Sequence, residues 1–113
     1  MRQWMVDPKI MCRKHLLGEH VEHHMFVGTI NKGLSMTGYL EGNLLEILSL
    51  HERHAELVKE MGARGYNHRS GLPGVRYAGS WEEVNKKIDR PASLKELLRR
   101  CPECRARYEE ASK

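Results

Sequence analysis

No stretch of this chain stays apolar for the roughly 18 to 20 residues that a membrane-spanning helix needs, and the amino terminus lacks the hydrophobic segment of a secretory signal. The expectation is therefore a cytoplasmic or otherwise intracellular protein with no membrane partner. Cysteine is scarce as well. There are three, an odd number, and two of them are tied together in the "CPEC" of Cys101 to Cys104. That usage argues against a disulfide framework and leaves metal binding or plain thiols. Internal repeats and low-complexity tracts are also missing, and 113 residues are too few for two domains. The reading is one domain, residues 1–113, around one modest core.

Nineteen Lys and Arg against fifteen Asp and Glu leave a net charge of +4 with His neutral. Such a mild basic excess favours an anionic partner without requiring one. Helix signals dominate the chain, and the fold expected is all-α, about four or five helices with long irregular loops. Asp7 caps and Pro8 opens a first helix running to about Val27, with Ile10, Leu17 and Val21 at helical spacing. A Gly-, Asn-, Ser- and Thr-rich loop follows. Asn43 with Glu46 three residues later reads as a capping box, and Gly65 as the C-cap of the same helix. Residues 66–79 form a loop long enough to carry function. "SWEE" at Ser80 and "SLKE" at Ser93 signal further short helices, with "CPEC" beside or between the last of them.

Chemistry concentrates in the first helix. Cys12, His15, Glu19 and Glu22 follow one another at steps of three, four and three and share a stripe. A polar stripe is ordinarily the solvated side of an amphipathic helix, but Cys and His there are adaptable groups suited to ligation or proton transfer. His20, His23 and His24 lie off that stripe and read as packed or surface residues. His51 and His54 share a face of the second long helix, a weak metal-type signal by themselves.

The start "MR", the segment "CRKHLLGEHVEHHMFVG" and the segment "HERHAELVKEMGARGYNH" together resemble the pyrimidine-dimer DNA glycosylase family, the small helical UV-repair enzymes of the phage endonuclease V type. The resemblance spans about the first 68 residues. It implies an amino-terminal α-amine nucleophile on Met1, an assisting glutamate on Glu22, a histidine near the active site on His15 and an arginine beside the nucleophile on Arg2. It also implies double-stranded DNA as partner, a monomer, a phage or prokaryotic host and no cofactor for catalysis. The family's two arginines flanking the glutamate fall here on Val21 and Met25. Replacement cations are available at Arg13, Lys14, His68, Arg69 and Arg76, and Glu19 is counted with the substrate contacts.

An α-amine suits such a role on physical grounds. Its reference pKa is near 7.7 to 8.0, so on the order of a tenth is free base at pH 7, against well under a thousandth of a lysine near 10.4. Attack on the C1′ of a nucleotide would expel the base and form an imine, which supports an associated lyase step at the abasic site.

Cys101 and Cys104 have the same two-residue gap as Cys12 and His15, and the four together would make a structural zinc site. Arg99, Arg100, Arg105 and Arg107 either track a DNA backbone or form a solvated face. Trp4 and Trp81 read as core or terminus anchors. Two other functional readings stay open. One is a helical metal-dependent hydrolase with His15, Glu19, Glu22, His51 and His54 as ligands. The other is a non-catalytic DNA-binding module.

Overall fold

The structure, a computed structural model, describes residues 1–68 and 71–113. It is all-α, as expected. The helices are α1 (Arg13–Asn31), α2 (Thr37–Glu41), α3 (Leu50–Ala63), α4 (Trp81–Val84), α5 (Arg90–Arg100) and α6 (Pro102–Ala111), with short 3-10 turns at Pro8–Ile10 and Ile47–Ser49. The radius of gyration is 14.2 Å, close to the roughly 13 Å of one compact domain of this length. Among the described residues, no helix is long and apolar enough to cross a membrane.

The first helix does not begin at Pro8. Asp7 caps a single 3-10 turn through Lys9 N–H, and the chain then extends through Met11 and Cys12 before α1 starts. A continuous helix would bond the Cys12 and His15 amides to the carbonyls of Pro8 and Met11. Arg64 takes both carbonyls instead, at 3.0 and 2.7 Å. The two amides turn to sulfur: Cys12 N–H donates to Cys104 Sγ at 3.2 Å and His15 N–H to Cys12 Sγ at 3.5 Å. Cys12 is thus the N-cap of α1 rather than part of its face.

The second long helix also starts later than its apparent capping box. Asn43 sits at φ 63°, a left-handed conformation, and its side chain pairs with the backbone of Asp89. Buried Glu46 accepts from Ile88 N–H at 2.9 Å. Both capping groups are spent on the segment entering α5, so α3 begins at Leu50. Its end is as expected, with Gly65 at φ 82° and Tyr66 N–H returning to Met61 O. Ser80 forms the capping box of α4 with Glu83. Ser93, however, caps nothing: Asp89 caps α5, and buried Ser93 donates its hydroxyl to Trp4 O at 2.5 Å.

The helices α1 and α3 pack antiparallel. Leu16 lies with Leu57 and Met61 in one apolar cluster, which also holds Trp4, Met11, Leu97, Cys101 and Cys104. Phe26, Val27 and Ile30 lie with Leu50 in another, closed by Met36, Leu40, Leu45 and Ile47. The single core expected from chain length is therefore divided. The middle of α1 carries Glu19, His20 and His23, all buried, and a buried polar layer interrupts apolar contact. Each fully buried Leu or Phe still contributes about 1.5 to 3 kcal/mol of transfer free energy.

Trp4 is buried, as an anchor should be, whereas Trp81 is 79% exposed. Four residues on the short helix α4 give Trp81 no partner surface to cover it.

Candidate active site

The amino-terminal segment is not helical, with Met5 at φ 54°, and its backbone is bound at Gln3, Trp4 and Val6. Gln3 N–H donates to Leu44 O at 2.8 Å, Trp4 O accepts from Ser93, and Val6 O accepts from Arg53 at 2.6 Å. The Gln3 side chain, fully buried, accepts from Glu46 N–H and faces His23 Nε2 at 3.1 Å. The other nitrogen of His23 faces the Glu19 carbonyl at 2.8 Å. It must donate there, which leaves Nε2 as acceptor for Gln3. His23 is a packed histidine, as expected, and burial holds its pKa below the ordinary value. These bonds hold the chain start beside α1.

There Glu22 Oε2 accepts from the backbone N–H of Arg2 at 3.2 Å. Around this pair opens a cleft of about 480 Å³ lined by Met1, Arg2, Trp4, Lys14, His15, Glu22 and Arg100, among others. The Arg2 guanidinium lies 3.7 Å from the centre of the Trp4 ring, with Arg100 at 5.9 Å. Burial, and then repulsion from Arg100, lower the pKa of Arg2. Its Nε is buried with no hydrogen-bond partner. The cleft thus combines one carboxylate held at the chain start with several cations, an arrangement that fits an anionic ligand and proton transfer beside it.

The other expected contacts divide. Arg13 and Lys14 are exposed, with Arg13 over the Tyr66 ring at 5.3 Å. Glu19 reaches the cleft wall, yet both its oxygens are engaged by buried Arg53, at 2.6 and 3.0 Å. His68 joins other histidines and is not among the residues lining the cleft. Arg69 lies outside the described residues. Val21 and Met25 are about half exposed. Neither carries a charge. The five ligands of the hydrolase reading are not brought together among the described residues. His51, for example, donates to Pro73 O at 2.7 Å.

Against the cleft stands a second cluster. The sulfurs of Cys12, Cys101 and Cys104 and a ring nitrogen of His15 all lie within 4.8 Å of one another. His15 Nδ1 is 3.1 Å from Cys12 Sγ and 3.7 Å from Cys104 Sγ, and the Cys12 and Cys101 sulfurs are 3.8 Å apart. Ligands about 2.0 to 2.3 Å from one tetrahedral ion stand roughly 3.3 to 3.8 Å apart, so the donor set fits zinc. Backbone N–H groups aim at each sulfur, from Cys104 to Cys101 Sγ and from Cys12 to Cys104 Sγ, as thiolates require. Burial opposes ionisation at Cys101, but these N–H groups and the neighbouring thiols bring its pKa down. At Cys104 burial wins, and its thiol is pushed up.

The histidines that the sequence left as packed or surface groups include a further assembly. His20 and His24 of α1 meet His54 of α3 and His68 beyond it, with one nitrogen of each inside the same 4.8 Å limit. Burial, with the neighbouring imidazoles, pushes both His20 and His54 down to about 4. The local signs of it were the i, i+4 spacing of His20 and His24 and the weak metal-type signal that included His54.

A small all-α protein with a cationic, carboxylate-bearing cleft at its amino terminus is the class that this architecture defines. Residues 1–73 match the family model for pyrimidine dimer DNA glycosylase, and the chain belongs to that family. No curated protein and no solved structure matches the chain. The matched segment includes Met1, Arg2, His15 and Glu22, whereas Ser93, Arg100, Cys101 and Cys104 come from α5, α6 and the junction between them, beyond it.

Proposed function

We propose that the protein is a DNA glycosylase with an associated abasic-site lyase activity, using the α-amine of Met1 as nucleophile and Glu22 as proton carrier. The observation that supports it most is the Glu22 carboxylate on the Arg2 amide, one peptide unit from the amine, at the mouth of a cationic cleft. Membership of the family supports a damaged pyrimidine in double-stranded DNA as substrate.

In this reading the amine nitrogen bonds to C1′ as the bond from C1′ to the base breaks, and the electron pair leaves with the base. Glu22 accepts the proton lost by the amine and returns it to the ring oxygen as the sugar opens to the imine. Removal of a C2′ proton then expels the 3′ phosphate oxygen by β-elimination, and water releases the enzyme. Arg2, Lys14 and Arg100 hold phosphates, with Arg13 extending the track along α1. Glu19 serves the cleft indirectly, by fixing α1 against Arg53. A zinc ion on Cys12, His15, Cys101 and Cys104 would supply structure, tying α1 to α5 and α6 behind the cleft. We assign His15 to that site, because its Nδ1 faces sulfur.

The test is borohydride trapping with untagged protein on UV-irradiated duplex DNA and on duplex carrying an abasic site, with the adduct located by mass spectrometry. An adduct on Met1 with both substrates supports the whole reading. Trapping with the abasic site alone would keep the lyase chemistry and move the substrate to another base. No adduct with either would overturn the role of Met1.

A further inference from the structure

The four histidines His20, His24, His54 and His68 are not used by the cleft, and their arrangement needs an explanation. The four imidazoles converge from α1, from α3 and from the chain just beyond Gly65. Ring centres are 4.8 Å apart for His20 and His54, 4.7 Å for His20 and His68, and 5.1 Å for His24 and His54. His20 and His54 are buried, and His24 and His68 half-buried.

Their hydrogen bonding is incomplete. His54 Nε2 meets His24 Nε2 at 3.3 Å, which can satisfy one donor and one acceptor. His20 Nε2 and His68 Nε2 are buried and have no partner. Buried polar atoms in native structures are nearly always satisfied. Two unsatisfied imidazole nitrogens in one cluster therefore point to a missing partner that accepts several lone pairs at once.

We propose that His20, His24, His54 and His68 bind a first-row transition-metal ion of the zinc class, separate from the cysteine site. His20 and His24 at i, i+4 present two nitrogens from one helix face, and His54 and His68 close the set from the opposite side. Nitrogen ligands about 2.0 to 2.1 Å from a tetrahedral ion stand roughly 3.3 Å apart, the separation already present between His24 and His54. The other pairs, none wider than 4.8 Å, close to it by small rotations of the imidazoles about their side-chain bonds, those of the half-buried His24 and His68 being the freest. Four neutral imidazoles favour zinc, cobalt, nickel or copper over magnesium or calcium, which prefer oxygen. With all four positions filled by protein the site is structural. It clamps the chain at His68 onto the α1 and α3 pair. All four ligands lie within the segment matched by the family model, whereas Cys101 and Cys104 of the cysteine site lie beyond it.

Metal-depleted protein is titrated with zinc alone and, in parallel, with cobalt(II) alone. The expected wild-type result is about two zinc ions per chain, one for each four-ligand set. Cobalt should show thiolate charge-transfer absorption from one equivalent and tetrahedral d–d bands without added charge transfer from the other. His68→Ala and His24→Ala, checked for folding by circular dichroism, should each lose the second equivalent and keep the thiolate bands. The double variant Cys101→Ser, Cys104→Ser should show the converse. A wild-type titration that ends with the thiolate-bound equivalent would overturn the proposal and leave water as the partner of these nitrogens. Metal content unchanged in both histidine variants would overturn it as well. Neither result bears on the roles of Met1 and Glu22, which the trapping experiment tests by itself.

Discussion

Glu22 Oε2 accepts a hydrogen bond from the Arg2 backbone N–H at 3.2 Å, across twenty residues of sequence. This contact joins the chain start to the third turn of α1 and puts a carboxylate one peptide unit from the terminal amine. It is sensitive to two small changes, one on each partner.

Glu22→Gln keeps the size of the side chain and the acceptor for Arg2 while removing the base. Strand cleavage at an abasic site should fall about 10²- to 10⁴-fold, the usual range for a general acid–base group. DNA binding should change little, since an acidic group makes no attractive phosphate contact. Cleavage at the parent rate would remove the glutamate from the mechanism.

Adding one glycine before Met1 displaces the amine by up to about 3.5 Å from Glu22. Borohydride trapping should drop to background while the fold, anchored through Gln3, Trp4 and Val6, is retained. Circular dichroism unchanged from the parent, together with full trapping, would contradict the positional argument.

His15→Cys separates two roles of one residue. It leaves four sulfur donors, so zinc content should stay at the parent level and lyase activity should persist. Zinc retained with activity abolished would instead give His15 a proton-transfer role in the cleft. In the parent, chelation should lower Tm, because an ion bound only by the native state stabilises it by mass action.

Glu19→Gln removes the buried charge partner of the Arg53 guanidinium, itself 1% exposed, and leaves it only the half-exposed Glu56 at 3.1 Å. Breaking such a pair from one side costs about 3 to 5 kcal/mol. Chemical denaturation of the variant should show that loss, and Glu19→Gln with Arg53→Met should recover part of it. A small change in the single variant would show that the pair contributes little.

Glu46 predicts an acid transition. Burial raises the pKa of its carboxyl, but the Ser49 hydroxyl, the Ile88 N–H and Arg90 outweigh burial and hold it below the ordinary value. A carboxyl with a depressed folded pKa adds stability above its unfolded pKa, about 4.3, and that stability is lost as pH falls through the lower folded value. Stability should therefore decline below about pH 4.3, and Glu46→Gln should flatten that part of the profile. An unchanged slope in the variant would assign the acid transition to other groups.

Helix signals that act within one turn were legible in the sequence: Ser80 with Glu83 and Gly65 after α3 do what the spacing predicts, whereas Asp7 with Pro8 opens a single 3-10 turn and not the first helix. Signals failed where a distant group took the same atoms. Asn43 and Glu46 have capping-box spacing but are spent on Asp89 and Ile88, and Ser93 serves Trp4 rather than its own helix. The resemblance to the family was readable because Met1, Arg2, His15 and Glu22 keep their order and spacing.

The sequence by itself determined an all-α chain, its family and a first helix rich in ligating and ionisable groups, because those properties depend on neighbours a few residues apart. Tertiary structure alone decided which groups meet. It joined His15 to Cys104 across 89 residues and His24 to His54 across 30, and it gave Glu19 to Arg53 rather than to the cleft. Spacing along a helix can assign a residue to a face, but only packing of one helix on another selects the partner opposite it.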